Sequence, residues 1–420
     1  MCPKALWSVA VTDTALVDQV VLSADEEQRR RQRFPLGASI EFEDLEVHAR
    51  AGVLDRLRAA EPVSWVPALG GWLVTDHALA RRVLGARDEF TVWARPNLVR
   101  ASLGVMMLAS DPPEHDRQRQ PFDGPFRQRA VRERFQAPIV ERAHHLLDEL
   151  APLGECELTD TFAAPFAISV AGDILGLSLD VAHVQGLYEA FAGAMVYDGD
   201  AAPQLAADAA RRSLDEVLHA ELARVRRSPD ASVTSAVAVG GSGGLDDDEI
   251  VAQLRVILFG AIETVESMIV NTVTLLLQHP HELSAVRADP DLLPNAIEEG
   301  MRVIPPVAFM ERWTARDVVV GAVELGPGEF VGVSSLAAGR DPHVFGDPLR
   351  FDVRRANARH HLAFSFGVHH CLGISMARLQ GAVALAAILE RLHGLEIVDA
   401  PDPRGFAFRR PATLTLRWTA

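Results

Sequence analysis

The sequence predicts a mainly α-helical protein with a small β region, and three observations support this fold class. Residues 246–278 keep an apolar pattern without a proline for about eight or nine helical turns. The stretches 136–226 and 373–392 place apolar residues three and four positions apart, which is the spacing of one helix face. Short alternating stretches at 318–333 and 413–418 indicate the strands of the β region.

The boundaries of several elements follow from local residue patterns. Asp246 and Glu249 form the pattern of a capping box at the start of the long helix, and the His-Pro pair at 279–280 marks its end. Residues 62–75 alternate around a Gly-Gly turn and predict a β-hairpin. Residues 228–244 are rich in Gly, Ser and Ala and predict a mobile loop.

Composition limits the class of protein and its environment. With 420 residues, of which 48% are hydrophobic and 23% charged, the chain can form a large core, and disorder is not predicted. A net charge of −16 argues against general nucleic-acid binding. The cysteines Cys2, Cys156 and Cys371 are too few and too scattered for a disulfide framework and indicate a reducing cytoplasm.

Residues 1–35 are predicted to be an N-terminal extension, and residues 36–420 a single domain without internal repeats. The charged run 25–33 is expected to be a solvated helix or a tail. Two aspartates interrupt the apolar stretch 9–21, which therefore does not resemble the core of a signal peptide. Because no run of about 20 apolar residues occurs, we expect a cytoplasmic protein without a membrane anchor.

Cys371 lies in a glycine-bracketed loop, residues 364–373, directly before a predicted helix. Backbone N–H groups and the positive end of that helix are expected to lower the pKa of the thiol and favour a metal-binding thiolate. Such a thiolate can be the axial ligand of a haem iron. From these residues alone, three other interpretations stay open: an inert buried cysteine, a zinc site with His369 and His370, and a cysteine–histidine nucleophile.

The middle of the long helix has the sequence Gly260-Ala261-Ile262-Glu263-Thr264. Small residues at 260 and 261 let a flat cofactor approach the helix backbone, so Ala261 is a candidate cofactor contact. The Thr264 hydroxyl can bond the carbonyl four residues earlier or open a local bulge. An acid–alcohol pair such as Glu263 and Thr264 can relay protons, but from these residues alone a helix with an exposed Glu and a packing Thr is an equally open interpretation. Glu266, one turn later, can be a second member of the relay or form a structural pair, and the structural pair is the favoured interpretation.

Taken together, these motifs resemble those of cytochromes P450. The run 364–373 is similar to the cysteine loop of that family, with Phe, Gly, a basic residue, Cys and Gly at the same spacing. Residues 260–264 are similar to the oxygen-activation motif of the family, which implies that Glu263 and Thr264 are the catalytic residues that relay protons to dioxygen. The resemblance extends over residues 36–420 and implies the cytochrome P450 fold of the soluble bacterial type. It also implies haem b (iron protoporphyrin IX) with Cys371 as the iron ligand, and monooxygenase activity.

The resemblance also assigns residues that hold the haem. Its two propionates need cationic partners, and the cysteine loop should contact the macrocycle. The expected propionate partners are His115, Arg119, Arg312 and His369, and the expected loop contacts are Phe364 and Gly373.

Glu299 and Arg302 lie three positions apart on one helix face and can form an ion pair. In the family this pair is buried and connects its helix to the stretch before the cysteine loop. The expected third partner here is Arg354 or a neighbour in 351–354. The implied role is in folding and haem incorporation.

The sequence predicts the class of the substrate, a medium-sized hydrophobic molecule, because the candidate pocket residues are apolar and carry no charge. Hydroxylation is the expected reaction, with epoxidation, desaturation and oxidative coupling as alternatives that use the same oxidant. The candidate pocket residues are Met106, Met107, Phe259, Val307, Ala308 and Phe309.

The sequence contains nothing that resembles a flavin or nicotinamide module, so the family resemblance implies ferredoxin and ferredoxin reductase as electron donors. Arginines such as Arg129, Arg132 and Arg359 are expected to form a basic patch for an acidic ferredoxin. Local ion pairs, for example with Glu133, are the alternative explanation for these arginines.

Two departures from the family pattern affect the expected shape. Ser365 stands where glycine is usual, so the loop turn must accommodate a side chain. Pro121 and the pair 124–125 (Gly-Pro) interrupt a helix that is normally continuous. Two rival functions also remain: a P450-type peroxygenase, which has an Arg-Pro pair in place of Glu263-Thr264, and a non-catalytic haem-binding protein, which needs no proton relay.

Overall fold

The computed structural model describes residues 16–46, 51–95, 97–193 and 202–419, and most of its regular structure is helical. The α-helices are α1 (Ala24–Arg33), α2 (Pro35–Ala38), α3 (Phe42–Glu46), α4 (Ala51–Ala60), α5 (His77–Gly85), α6 (Leu98–Leu103), α7 (Glu114–Asp123), α8 (Gln128–Leu150), α9 (Ala164–Leu175), α10 (Val181–Gly193), α11 (Ala202–Arg227), α12 (Val233–Gly240), α13 (Asp247–Gln278), α14 (Pro280–Ala288), α15 (Leu293–Val303), α16 (Ser335–Ala338) and α17 (Ile374–Arg391). The β-strands are β1 (Val17–Asp18), β2 (Val63–Val66), β3 (Gly71–Val74), β4 (Phe90–Thr91), β5 (Ala94–Arg95), β6 (Glu155–Glu157), β7 (Phe309–Thr314), β8 (Val318–Val320), β9 (Val323–Leu325), β10 (Phe330–Ser334), β11 (His393–Asp399) and β12 (Thr415–Thr419). The predicted fold class is confirmed.

The 32-residue helix α13 crosses the main hydrophobic core over about 48 Å. Its capping box is present as predicted: the Asp246 side chain accepts from the Glu249 N–H at 2.9 Å, and the Glu249 carboxylate accepts from the Asp246 N–H at 3.0 Å. Among the described residues, α13 is the one helix long and apolar enough to cross a membrane, but 72% of its apolar window is buried inside the protein. That burial is what a core helix shows.

Helix α17, which begins directly after the cysteine loop, packs closely against the long helix α13. A Cβ atom on Gly381 of α17 would lie 2.8 Å from Cε of Met268 on α13. The glycine therefore permits a helix–helix approach that a side chain would prevent. Helices α9, α11 and α15 pack against other parts of α13.

The largest sheet has five strands in the order β2-β3-β10-β7-β4. The pair β10–β3 is parallel and the other pairs are antiparallel. The predicted hairpin is present as β2–β3, with Gly70 at φ 61° in the turn. A three-stranded sheet, β11-β12-β6, and two two-stranded sheets complete the β region.

The structure corrects the sequence interpretation in two connecting regions. The prediction of a mobile loop over 228–244 is wrong in part, because α12 forms within it. Ser232 caps α12, and the Thr234 hydroxyl donates to the Leu175 carbonyl at 2.7 Å, which anchors the helix in the core. The strand β6 interrupts the helical stretch 136–226, and it exists because it pairs with β12.

The charged run 25–33 forms α1, and one of its arginines is held against the large sheet. The Arg30 guanidinium carbon lies 4.8 Å and 5.0 Å from the ring centres of Trp65 and Trp72. Its two terminal nitrogens donate to the Glu329 carboxylate at 2.7 and 3.0 Å, and the Trp72 indole donates to the same carboxylate. The proposed boundary between extension and domain at residue 36 stays a prediction, and residues 1–15 lie outside the described part.

Candidate active site

The loop around Cys371 is closed by its own backbone. The Cys371 N–H donates to the Phe364 carbonyl at 2.9 Å. Ser365 and Gly367 have φ angles of 61° and 77°, and a Cβ on Gly367 would lie 2.5 Å from the Leu84 carbonyl oxygen. Ser365 thus occupies a left-handed position where glycine is usual, which agrees with the departure seen in the sequence.

The Cys371 thiol is surrounded by protein atoms although part of its surface stays accessible, and burial raises its pKa. The Gly373 N–H and the charges of Arg119 and Arg378 act in the opposite direction but do not overcome burial. The expectation of a lowered thiol pKa is therefore wrong for the chain by itself. The predicted donors are present, and a bound metal cation would favour the thiolate directly.

Three of the four predicted propionate partners come together beside the cysteine loop. The rings of His115 and His369 are 4.7 Å apart, and Asp111 places Oδ1 3.9 Å from Nε2 of His369. Arg312 on β7 is buried nearby, and its positive charge acts on His369. Burial lowers the pKa of Arg312 to about 10 and that of His369 to about 4. Asp111 was not singled out from the sequence, although it stands four residues before His115.

The fourth predicted partner, Arg119, is placed differently. Its Nη1 donates to the His370 carbonyl at 2.8 Å, and its Nε donates to Asp123 at 3.2 Å. Arg119 therefore supports the backbone of the cysteine loop. In the described part of the chain, Arg312 Nη2 and His369 Nε2 are buried and have no hydrogen-bond partner. An acidic ligand group would supply the acceptors that these two nitrogens lack.

On α13, the Thr264 hydroxyl donates to the Gly260 carbonyl at 2.6 Å, which is the first of the two arrangements that the sequence left open. Gly260 is exposed, and a Cβ added there would meet nothing within 4 Å. Protein packing therefore does not require a glycine at this position, and the open surface beside it, with Ala261 next along the chain, can accept a flat group.

Glu263 and Glu266 are two mostly buried carboxyl groups on neighbouring turns of α13. Burial raises the pKa of Glu263, and it raises that of Glu266 to about 7. Arg410 pairs with Glu266 at 2.8 Å, which confirms the expected structural pair. The Tyr188 hydroxyl, on α10, interacts electrostatically with the Glu263 carboxyl group, although the two groups do not have the geometry of an ordinary hydrogen bond. Tyr188 and Arg410 come from distant segments and were not found from the sequence.

The Glu299–Arg302 pair is completely buried and doubly bonded, at 2.7 Å for both contacts. Arg302 also donates to three backbone carbonyls in the segment 339–350. The expectation of a third partner in 351–354 is confirmed in part: the Asp352 N–H donates to Glu299 at 3.1 Å, but the cation is Arg355, whose Nε lies 2.9 Å from Glu299, and not Arg354. Arg354 is exposed, because the turn in this segment directs the next side chain inward.

A second buried acid lies beside this pair and was missed in the sequence. Glu298 would have a raised pKa from burial alone, but hydrogen bonds from His361 and Arg378 outweigh burial and lower it to about 2. Arg378 also lies 5.4 Å from the ring centre of Phe364. This second network thus connects α15 with the cysteine loop and α17.

Phe259 is the centre of an aromatic group on α13. It stacks on Tyr188 with ring centres 5.0 Å apart, and it meets Phe191 and Phe408 edge-on at 6.4 and 6.0 Å. Val307 is bridged to Phe408 through its backbone.

The other predicted pocket residues divide between two clusters. Met106 and Met107 lie in the same core cluster as Phe259. Ala308 and Phe309 lie in a separate cluster, where Phe309 packs 4.1 Å from Phe406. The structure therefore does not bring Phe309 to Phe259.

The arrangement suits a haem better than a zinc ion. Among the described residues, no group of three or more His, Cys, Asp or Glu side chains could hold a metal ion, so the zinc interpretation has no support. One thiol, two buried donors without acceptors and an open helix surface match an iron that takes one thiolate and a macrocycle that carries two carboxylates.

Comparison with known proteins agrees with this geometry. The family model described as cytochrome P450 matches residues 230–404. The chain is 35% identical over 367 residues to 6-deoxyerythronolide B hydroxylase of Saccharopolyspora erythraea, covering 82% of this chain and 89% of the relative. It is 34% identical over 382 residues to nocardicin C N-oxygenase of Nocardia uniformis, covering 86% of this chain and 94% of the relative.

Solved structures are similar over nearly the whole chain. A crystal structure of P450BioI in complex with acyl carrier protein ligated to hexadec-9Z-enoic acid has a TM-score of 0.82 and 28% identity, covering 90% of this chain and 99% of that one. The match thus includes both the cysteine loop and the long helix, and the chain belongs to the cytochrome P450 family as a haem-dependent monooxygenase of the bacterial type.

Proposed function

We propose that this monooxygenase hydroxylates a hydrophobic small molecule in natural-product biosynthesis, with haem b bound through Cys371. The observation that carries the proposal is the placement of an acid–alcohol pair, Glu263 and Thr264, on the helix against which α17 packs directly after the cysteine loop. Relatives named as a hydroxylase and an N-oxygenase of natural products support the reaction class.

Haem at this site supplies dioxygen activation and oxygen insertion, and the protein supplies binding, orientation and protons. The buried donors of Arg312 and His369, with His115 against His369, would bind the propionates, because both donors lack acceptors. Arg119 would hold the loop backbone that presents the thiolate. The proposed contacts with the macrocycle are Ala261, Phe364 and Gly373.

Thr264 and Glu263 would deliver protons at defined atoms. The Thr264 hydroxyl is held against the helix by its hydrogen bond to the Gly260 carbonyl. From this position, Oγ1 of Thr264 can pass a proton into the site. Because burial raises the pKa of Glu263, its carboxyl group can carry a proton closer to neutral pH and replace the one that Thr264 gives. Glu299, Arg302 and Arg355 would maintain the fold behind the cysteine.

The proposed substrate pocket centres on Phe259, with Met106, Met107 and Val307 around it. Its aromatic stack with Tyr188 favours a substrate with a flat or extended apolar body. Ala308 and Phe309 remain proposed lining residues, although they belong to a separate hydrophobic cluster that includes residues of the five-stranded sheet. An apolar lining of this kind binds the body of a substrate and leaves its orientation to polar groups.

We propose ferredoxin and ferredoxin reductase as the electron donors and the cytoplasm as the location. Arg129 and Arg132 are exposed on α8, although Arg129 pairs with Glu133 at 2.7 Å. In the double variant Arg129→Glu/Arg132→Glu, ferredoxin-driven turnover at low salt should fall. Unchanged turnover would exclude this basic patch as the docking site.

The test of the proposed function starts from the reduced, CO-bound holoprotein, which should show the red-shifted Soret band of thiolate ligation. Cys371→Ser should remove that band. A panel of hydrophobic compounds is then incubated with ferredoxin, reductase and NADPH under oxygen, and the products are analysed by mass spectrometry. The gain of one oxygen atom is expected, and a protein that shows the band but oxidises no compound with either NADPH or peroxide would be a haem-binding protein.

Thr264→Ala distinguishes monooxygenase from peroxygenase. In a monooxygenase this variant should divert NADPH consumption to hydrogen peroxide, by about tenfold or more, because proton delivery is impaired. Thr274→Ala is the matched control, since the Thr274 hydroxyl makes the same bond to the Val270 carbonyl at 2.8 Å deep in the core of α13. Turnover driven by peroxide alone, insensitive to Thr264→Ala, would instead indicate a peroxygenase.

A further inference from the structure

Two arginine side chains converge on Gly104, in the loop that leads to Met106 and Met107. A Cβ atom on Gly104 would lie 3.7 Å from Nη2 of Arg255, on α13, and 4.0 Å from Cδ of Arg211, on α11. Gly104 has φ 83° and ψ −169°, a conformation that other residues rarely adopt. The glycine therefore leaves space beside the Arg255 guanidinium group and the Arg211 side chain.

Both arginines have a buried donor without an acceptor. The Nε atoms of Arg255 and Arg211 are inaccessible to solvent and have no hydrogen-bond partner within the described ranges 16–46, 51–95, 97–193 and 202–419. Arg255 as a whole is 5% exposed. A buried N–H without a partner costs about 1 to 3 kcal/mol in general, so a donor pair of this kind indicates a missing acceptor.

The acids around this site only partly use the two arginines. Asp215 binds Arg255 through Nη1 alone, at 2.7 and 2.8 Å, and Asp208 contacts Nη2 of Arg211 at 3.4 Å. Burial raises the pKa of Asp215. Burial lowers the pKa of Arg255, and the positive charge of Arg211, which repels that of Arg255, lowers it further. A further anion between the arginines would relieve that repulsion and satisfy both Nε donors.

Neighbouring contacts fix the backbone around the two arginines. On α11, Gln204 lies two turns before Arg211 and donates to the Ala101 carbonyl of α6 at 2.9 Å. On α13, the Gln253 side chain accepts from the Met107 N–H at 2.8 Å, which fixes the loop after Gly104. Because these bonds already fix the backbone around the arginines, an anion can bind without further ordering of the chain.

The position of the site relates it to the aromatic group described above. Arg255 lies one helical turn before Phe259 on the same face of α13, about 6 Å along the axis. Glu263 lies one further turn along. A ligand that stacks on Phe259 can therefore reach the arginines at one end and the predicted oxidation site at the other.

We propose that Arg211 and Arg255 form an anion subsite that binds a carboxylate of the substrate, so that the natural substrate is a hydrophobic carboxylic acid. This inference rests on the proposed function and narrows its substrate class. A carboxylate offers two oxygens for two Nε–H donors. A phosphate would bring about two charges to a site where Asp208 and Asp215 already offset the arginines, so a monoanion is the better match.

The test uses the holoprotein and pairs of hydrophobic probes that differ only in charge: dodecanoic, naphthylacetic and biphenylacetic acids, each with its methyl ester. Binding is measured by displacement of the iron-bound water in the visible spectrum. At least one acid should bind about tenfold or more tightly than its ester, since one hydrogen bond to a charged group contributes about 1.5 to 3 kcal/mol.

The variants locate this preference. Arg211→Gln should raise the Kd of the acid about tenfold and change the Kd of the ester by less than about twofold. Arg212→Gln is the matched control, because it removes the same charge from the exposed neighbouring position and should leave both Kd values unchanged. Arg255→Lys keeps the charge beside Asp215 but loses the guanidinium fork, and it should also weaken acid binding.

The inference is overturned if no acid binds more tightly than its ester, or if Arg212→Gln weakens acid binding as much as Arg211→Gln. Failure of the proposed function is visible separately. Acids that bind through Arg211 but are not oxidised contradict the hydroxylase proposal and leave the subsite intact. Esters that are oxidised as readily as acids, without any preference in binding, contradict the subsite alone.

Discussion

Buried acids in two regions of the molecule have pKa values shifted in opposite directions. One region lies behind the cysteine loop, around Glu298, and the other lies above the long helix, around Glu266. Behind the loop, Glu298 is bonded to His361 and Arg378, and its pKa falls to about 2. Above the helix, Glu266 has one cation, Arg410, and its pKa rises to about 7. The first region is saturated with internal bonds. The second has fewer: Glu266 forms a structural pair, and the Glu263 carboxyl group and the buried donors of Arg211 and Arg255 would serve protons and substrate.

The largest expected effect comes from breaking the saturated region. Arg302→Met leaves Glu299 buried without its main cation, and the free energy of unfolding should fall by about 3 to 5 kcal/mol. Denaturant unfolding and the yield of haem-loaded protein measure the effect. Arg354→Gln, at the exposed position first expected to be the partner, should change stability by less than about 0.5 kcal/mol. A comparable loss in both variants would contradict the assignment of Arg355.

The second prediction concerns the pH dependence that Glu298 gives to stability. The folded pKa of about 2 lies below the usual value of 4.5, so the contribution is present above about pH 4.5 and is lost as pH falls towards 2. It amounts to about 3 kcal/mol. The difference in unfolding free energy between wild type and Glu298→Gln should shrink over this range. A difference that does not change with pH would contradict the ion pair.

Glu266 should show the opposite dependence. Its folded pKa of about 7 lies above the usual 4.5, so the folded state binds the extra proton, and stability falls as pH rises from about 4.5 through 7. Relative to Glu266→Gln, wild type should lose up to about 3 kcal/mol across this window. Equal slopes for the two proteins between pH 5 and pH 8 would show that Glu266 is already ionised at the lower pH.

The smallest effect is expected in the cysteine loop itself. Ser365 has a φ of 61°, a conformation that costs a non-glycine residue about 1 kcal/mol, and Ser365→Gly should recover part of that cost. Thermal unfolding of the holoprotein measures the gain, with an unchanged Soret band as evidence that the loop is intact. Ser365→Ala keeps the strained backbone and should give no gain.

The contrast between the regions also explains what the sequence could predict. The cysteine loop, the capping box of α13 and the Glu299–Arg302 pair depend on residues a few positions apart, and local spacing was enough to find them. The step from Arg354 to Arg355 depends on how one turn directs successive side chains. Tyr188, Arg410 and the convergence of Arg211 with Arg255 depend on packing between distant segments, for which the sequence carries no periodic pattern.

Helix α12 shows the same limit from the side of composition. A run rich in Gly, Ser and Ala predicted a loop, yet the segment folds because Thr234 reaches the end of α9. Local propensity was overridden by one tertiary hydrogen bond and the burial of two valines, Val233 and Val237.

The contact of Arg30 with Trp65, Trp72 and Glu329 has a practical consequence for preparing the protein. Glu329, directly before β10, is 5% exposed, and Arg30 is its charged partner. A shortened version that starts after α1 would leave the Glu329 carboxylate buried without its charged partner. A version that starts at Ser23 keeps both the cap of α1 and the contact between Arg30 and Glu329, so truncations and fusion junctions are best placed before that serine.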